Sequence, residues 1–198
     1  LNILAYARVD TVKPANLGRM KQAGINWLAL GIESANPDVR DGASKRMKVK
    51  DVRNVVRTIQ DAGIRVIGNF IFGLPDDTLE TMQETLDMAI DLKCEFINFY
   101  CAMAYPGSKL YDIAIKEGWK LPKEWHGFSQ HSYEMFPLPT KYISAKEVLQ
   151  FRDNAFHKYF ENRDYLTMIE NKFGNEVREN IQQMTKFRLK RKLIEINT

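Results

Sequence analysis

Charged and amide side chains stand at the ends of successive apolar runs in this sequence. Arg8 and Asp10 follow LNILAYA, Glu33 and Ser34 close INWLALGI, and Asn69 sits inside IRVIGNFIFG just before the corner Gly73-Leu74-Pro75; a fourth run, EFINFYCAM, leads to Ala102–Pro106. Groups of this kind can bind a polar, charged small molecule, and burying them costs free energy unless they pair or meet such a ligand. The plain alternative is an internal ion pair between Arg8 and Glu33. The corner has a plain alternative as well. Gly73 permits a positive φ or a close approach, Pro75 fixes a turn, and Asp77 caps a following helix.

The elements that position these residues alternate from the first residue. Strands are expected over 1–9, 25–32, 64–73 and 95–103. Between them lie a short helix capped by Asn16 and ended by Gly24, and a helix opened by Asn36-Pro37. That helix carries Val52, Val55, Val56 and Ile59 on one face; a third opens on a capping-box-like 77–80, with Leu79, Met82, Leu86, Ala89 and Ile90 as its stripe. Ser108 caps a further helix that stops at Gly118. MKQAGINWLALGI and IQDAGIRVIGNFI, 39 residues apart, repeat the helix–glycine–strand unit. Alternating strands and helices with near-continuous apolar strands imply right-handed crossovers and a parallel α/β sheet, whose ligands sit at the carboxyl ends of the strands. Three segments are expected: 1–118 as part of a barrel, 119–143 as an aromatic, proline-containing ordered loop or lid, and 144–198 as a helical tail. Ser144 and Glu147 form a second capping box, a break comes at Gly174, and a last helix runs to the C-terminus.

Composition narrows the classes. The 198 residues are 44% hydrophobic, enough for a core, and no run approaches the roughly 20 apolar residues of a membrane span. A cytoplasmic location is expected. Residues 1–140 hold 17 Lys and Arg against 17 Asp and Glu, and residues 141–198 hold 12 against 8, so the net +4 resides in the tail. Cys94 and Cys101 fit neither a disulfide framework nor a metal spacing and read as reduced core thiols; no metal ligands are assigned. The opening LNILAYARVD, without an initiator methionine, reads as a fragment cut near the start of a strand. A sheet cut in this way is expected to seek partners through its open edge.

Taken in order, RVD at 8–10, GIES at 31–34, Lys45-Arg46, AGIRVIGNFIFGLPDDT at 62–78 and PGSKLY at 106–111 resemble the second half of the radical S-adenosylmethionine (SAM) core. The resemblance implies a TIM-like partial (β/α)6 barrel of which this chain holds strands 3–6, the first two strands and the missing N-terminal half supplying the rest. It implies SAM and a [4Fe-4S] cluster as cofactors, with reductive cleavage to a 5′-deoxyadenosyl radical. By position it assigns Glu33, Ser34 and Asn69 to the ribose side of SAM and Ile71 with the Gly73 corner to adenine. Lys45 or Arg46 would face the methionyl carboxylate, and Arg8 occupies a charged strand-end position. No Cys-x3-Cys-x2-Cys occurs, so the chain alone is expected to bind no cluster and to be inactive; no catalytic residue is assigned.

The tail, from ISAKEVLQFRDNAFHKYF to LKRKL, resembles the extension of cobalamin-binding radical SAM proteins such as anaerobic magnesium-protoporphyrin monomethyl ester cyclase. That implies methylation or oxidative cyclisation of a small organic substrate, tetrapyrroles included, with cobalamin as a second cofactor. A different class is an RNA- or anionic-surface-binding module acting through the basic last helix, or a tRNA-modifying radical SAM enzyme. That helix lacks the aromatic platform of single-strand binders. A coincidental TIM-barrel fragment is the third reading. His126 and His131 belong to a loop anchored by aromatic side chains or to a substrate lid. Trp27 reads as barrel–helix packing, and Trp119 and Trp125 line the mouth of the site or pin the loop.

Overall fold

The structure, a computed structural model, describes residues 1–41 and 49–195. Strands β1 (Ile3–Arg8), β2 (Ile25–Glu33), β3 (Arg65–Phe72) and β4 (Phe96–Cys101) form one parallel sheet in chain order. The connections hold helices α1 (Pro14–Gln22), α2 (Pro37–Asp41), α3 (Val49–Asp61) and α4 (Leu79–Leu92). Helix α5 (Lys109–Lys116) follows β4. After an irregular stretch with one 3-10 turn at Trp125–Phe128 come α6 (Ala145–Phe160), α7 (Arg163–Phe173), α8 (Asn175–Thr185) and the short α9 (Lys192–Glu195). Among the described residues no helix is long and apolar enough to cross a membrane.

Burial alternates along β3 and β4, as a sheet covered on one face requires. Val66, Phe70, Phe72, Ile97 and Phe99 pack with Val52, Val56 and Ile59 of α3 and Met82, Leu86 and Ala89 of α4. Ile67, Asn69 and Ile71 of β3, with Phe96, Asn98 and Tyr100 of β4, line the opposite, half-buried face. At the amino ends of the strands Trp27 stacks on Phe173 of α7, ring centroids 6.1 Å apart, and the Arg65 guanidinium lies over both rings. The packing expected of Trp27 therefore has a tail helix as its partner.

Several local expectations change. Helix α1 begins at Pro14, not after Asn16, because proline at the first position gives up an N–H that has no helical acceptor. Thr78, not Asp77, caps α4, in a capping box with Thr81. The basic stretch at 186–192 is not one helix: α8 ends at Thr185, and Arg191 is drawn into a buried pair with Asp153.

The tail closes the outer edge of β4. Tyr159 donates its hydroxyl to Cys94 O at 2.9 Å, Tyr165 to Glu95 O at 3.2 Å, and Arg152 Nε to Phe99 O at 2.8 Å. The Gln130 amide both accepts from Cys101 N–H and donates to Cys101 C=O, each at 3.0 Å, as a neighbouring strand would. At the other side of the sheet β1 is the edge strand, with Tyr6 81% exposed.

Candidate functional site

The register aligns one residue from each strand. Arg8 pairs with Gly31, Gly31 with Asn69, and Asn69 with Asn98, making a row across the sheet near its carboxyl ends. Asn98 donates to Asn69 Oδ1 at 2.9 Å, and Asn69 donates to Leu30 O at 3.2 Å, so the two amides are fixed in orientation. Ile71 lies two residues further along on the same face. Gly31 puts no side chain between Arg8 and Asn69; a Cβ there would stand 3.6 Å from Glu33 Oε1.

Glu33 ends β2 at a register shift and carries φ = 71°, left-handed backbone that a glutamate adopts only at a cost of roughly 1 kcal/mol or more. The alternative of an Arg8–Glu33 ion pair does not describe the main contact of Arg8. Arg8 is bonded through Nε and Nη2 to both oxygens of Asp10, at 2.9 and 2.6 Å. That pairing raises the Arg8 pKa, with Glu33 a minor contributor.

Ser34 does not join this row. Beyond the bulge the chain turns it to the helix side, where it is fully buried, 3.2 Å from Thr85 Oγ1, and accepts from Asn36 N–H. Lys45 and Arg46 lie outside the described residues. Gly73 (φ = 80°) has Val148 of α6 where a side chain would stand: an added Cβ would meet Val148 Cγ1 at 2.5 Å. The corner is thus the point where the tail helix seats on the barrel.

Asp77 organises that corner. Its buried carboxylate accepts from Gly73 and Leu74 N–H, both at 3.0 Å, and from Thr81 Oγ1 at 2.7 Å. Burial raises its pKa above the ordinary 3.8, against the pull of those bonds. The folded protein therefore holds a proton on Asp77 over a window above 3.8 where the unfolded chain does not. The carboxyl's contribution is full below 3.8 and is lost as pH rises through the folded-state value. We expect Asp77→Asn, which keeps the geometry without the charge, to gain stability relative to the parent between pH 4 and pH 7, and Asp77→Ala to lose about 2 kcal/mol for two orphaned amides. Urea denaturation at both pH values checks this; a pH-independent difference for the asparagine variant counts against it.

Beside β4 a cavity of about 410 Å³ runs between the strand's edge and the tail. Asn98, Tyr100, His131, Arg152 and Phe156 line it, with Phe187 and Leu189 from the segment after α8. Burial, then Arg152 and Arg191, lowers the His131 pKa, which keeps its imidazole neutral at pH 7. Sequence reasoning assigned Asn98, Gln130 and Arg152 no role. The polar residue between aromatics in FINFY was the available signal for Asn98. Nothing local marked the other two.

Cys94 and Cys101 do not fit an iron–sulfur cluster. Both are buried, and burial pushes their thiols up, that of Cys101 to about 12, where a cluster needs thiolates. Among the described residues no group of three His, Cys, Asp or Glu is placed to hold a metal.

A parallel sheet covered by helices on one face, with a polar row at its carboxyl ends and a helical tail against its last strand, defines an α/β partial barrel. Residues 5–89 match the family model of the radical SAM superfamily. It is 30% identical over 156 residues to an uncharacterized methyltransferase of Pyrococcus horikoshii, covering 79% of this chain and 33% of the relative. It is 30% identical over 140 residues to anaerobic magnesium-protoporphyrin IX monomethyl ester cyclase of Cereibacter sphaeroides, 71% of this chain and 22% of the relative. The chain thus spans a third or less of these two relatives. Among solved structures, Elp3 of Methanocaldococcus infernus superposes with a TM-score of 0.52 at 18% identity, over 60% of this chain and 28% of that one, a likeness of fold.

Proposed function

We propose that this chain is the part of a radical SAM enzyme that orients SAM from the carboxyl ends of β1–β3, the [4Fe-4S] cluster being held by residues outside these 198. The observation that carries the reading is Glu33, a strained, bulged carboxylate one strand position beyond the row of Arg8, Gly31 and Asn69. Strain of this kind persists where surrounding structure holds it for a task. Glu33 and Asn69 supply acceptors and donors for the ribose hydroxyls, Ile71 an apolar wall for adenine, and Arg8 with Asp10 a charged rim. Ser34 serves indirectly, by holding the loop after Glu33 to α4. For the whole protein the proposed reaction class is cleavage of SAM to a 5′-deoxyadenosyl radical. The names of the two relatives support methyl transfer or ring closure on a small organic substrate, tetrapyrroles included; cobalamin as a second cofactor rests on the resemblance of the tail.

The test is made on the gene product that carries this chain, reconstituted with iron and sulfide without oxygen. Glu33→Gly relieves the left-handed strain and is expected to raise stability by about 0.5–1 kcal/mol, while SAM affinity and 5′-deoxyadenosine release both fall at least tenfold. Asn69→Ala is expected to lower both without the gain in stability. A Glu33→Gly protein that binds and cleaves SAM as the parent does would overturn the reading.

A further inference from the structure

The cavity beside β4 has walls of one character and a floor of another. Phe156 and Phe187 with Tyr100 give it flat aromatic sides. Arg152 lines it from α6 and is 5% exposed. Its Nε is committed to Phe99 O and its Nη1 to Asp153 Oδ1, at 2.8 Å each, while Nη2 has no hydrogen-bond partner among the described residues. Behind it Arg191 takes Asp153 through both carboxylate oxygens, at 2.9 and 3.0 Å. Two buried guanidiniums therefore share one carboxylate, that of Asp153, which also lines the cavity, and among the described residues one positive charge is left without a paired carboxylate. Neutral His131 adds a ring nitrogen able to donate. The volume of about 410 Å³ lies within the range of small-molecule sites, roughly 300–1,000 Å³.

We infer that this cavity binds a flat aromatic carboxylate, its ring between Phe156, Phe187 and Tyr100 and its carboxylate received by Arg152 Nη2 and His131. Asn98 stands in both places: it lines the cavity and bonds Asn69 in the strand-end row. A ligand held here lies next to the surface that orients SAM, so the inference deepens the proposed function by naming its substrate class, and to that extent rests on it. Binding itself needs neither SAM nor a cluster, which lets the two succeed or fail separately.

The probe is 2-naphthoate, titrated calorimetrically into the protein without SAM, against the neutral isostere 2-naphthamide. Saturable one-to-one heat is expected for naphthoate, with the amide at least ~10-fold weaker because it cannot compensate the guanidinium. Arg152→Gln should bring the two probes to equal affinity. Arg152 also caps β4, so a second variant acts from outside that network: Leu189→Trp, at a half-exposed wall position, fills the cavity and should abolish binding while circular dichroism and Tm stay at the parent's values. No heat with naphthoate, equal affinity for acid and amide in the parent, or undiminished binding in Leu189→Trp would each overturn the inference. Loss of SAM cleavage with naphthoate binding intact would sink only the proposed function.

Discussion

Gly73→Ala is expected to destabilise the protein by about 3 kcal/mol, a fall in Tm of roughly 10 °C for a chain of this length. Two costs add. Alanine at φ = 80° pays about 1 kcal/mol for the left-handed region, and its Cβ, 2.5 Å from Val148 Cγ1, forces α6 away from the corner at a further 1–3 kcal/mol. Gly107 separates the two. It has φ = 84° and nothing within 4 Å of an added Cβ, so Gly107→Ala should cost only the backbone share. In a double-mutant cycle, Val148→Ala should remove most of the penalty above that share. Equal losses for Gly73→Ala and Gly107→Ala, measured by denaturant unfolding, would show that the tail does not seat on this corner.

Asp153→Ala is the second large effect. Asp153 bonds both Arg152 and Arg191, whose side chains are 6% and 0% exposed. Its removal leaves two like charges buried together, at about 3–5 kcal/mol. Arg191 also donates to the carbonyls of Ser132 and Gln130, at 2.8 and 3.1 Å, so the loop that presents Gln130 to Cys101 should loosen with it. Hydrogen exchange at Cys101 N–H reads this directly, as its acceptor is Gln130 Oε1. Adding Arg191→Met to Asp153→Leu should recover only the share owed to Arg191, because Arg152 stays buried without its carboxylate. Rapid exchange at Cys101 in the parent, or no stability change in Asp153→Ala, would contradict this account of the pin.

Much of the barrel segment was legible because its signals are local. Alternating apolar runs placed four strands to within one or two residues, and Asn36-Pro37 and Ser144/Glu147 declared their helix starts through backbone capping that needs no tertiary partner. The motif order from RVD to PGSKLY carried the resemblance to the superfamily that residues 5–89 then matched. What stayed hidden depends on partners far along the chain. The Gly73 corner looked like turn chemistry or a cofactor contact, while the atom that forbids a side chain there belongs to Val148. Asp77 and Thr78 are adjacent capping residues, and the corner's own amides decide between them by taking Asp77. Arg191 looked like one charge of a solvated basic helix, because its acceptor, Asp153, lies 38 residues earlier. For the candidate site, Arg8, Glu33, Asn69 and Ile71 come to the strand ends as expected, whereas the turn at Ser34 follows from a bulge that no residue type announces.

The unequal edges of the sheet limit how copies of this chain can associate. Strand addition needs a row of free backbone donors and acceptors. On β4 the side chains of Arg152 and Gln130 have taken part of that row, and Tyr159 and Tyr165 take the carbonyls just before it, while among the described residues β1 has no such cover. A strand from a second copy and the first strands of the proposed partial barrel would therefore pair on the β1 side and not on the β4 side, and the two would compete for the same row of donors and acceptors.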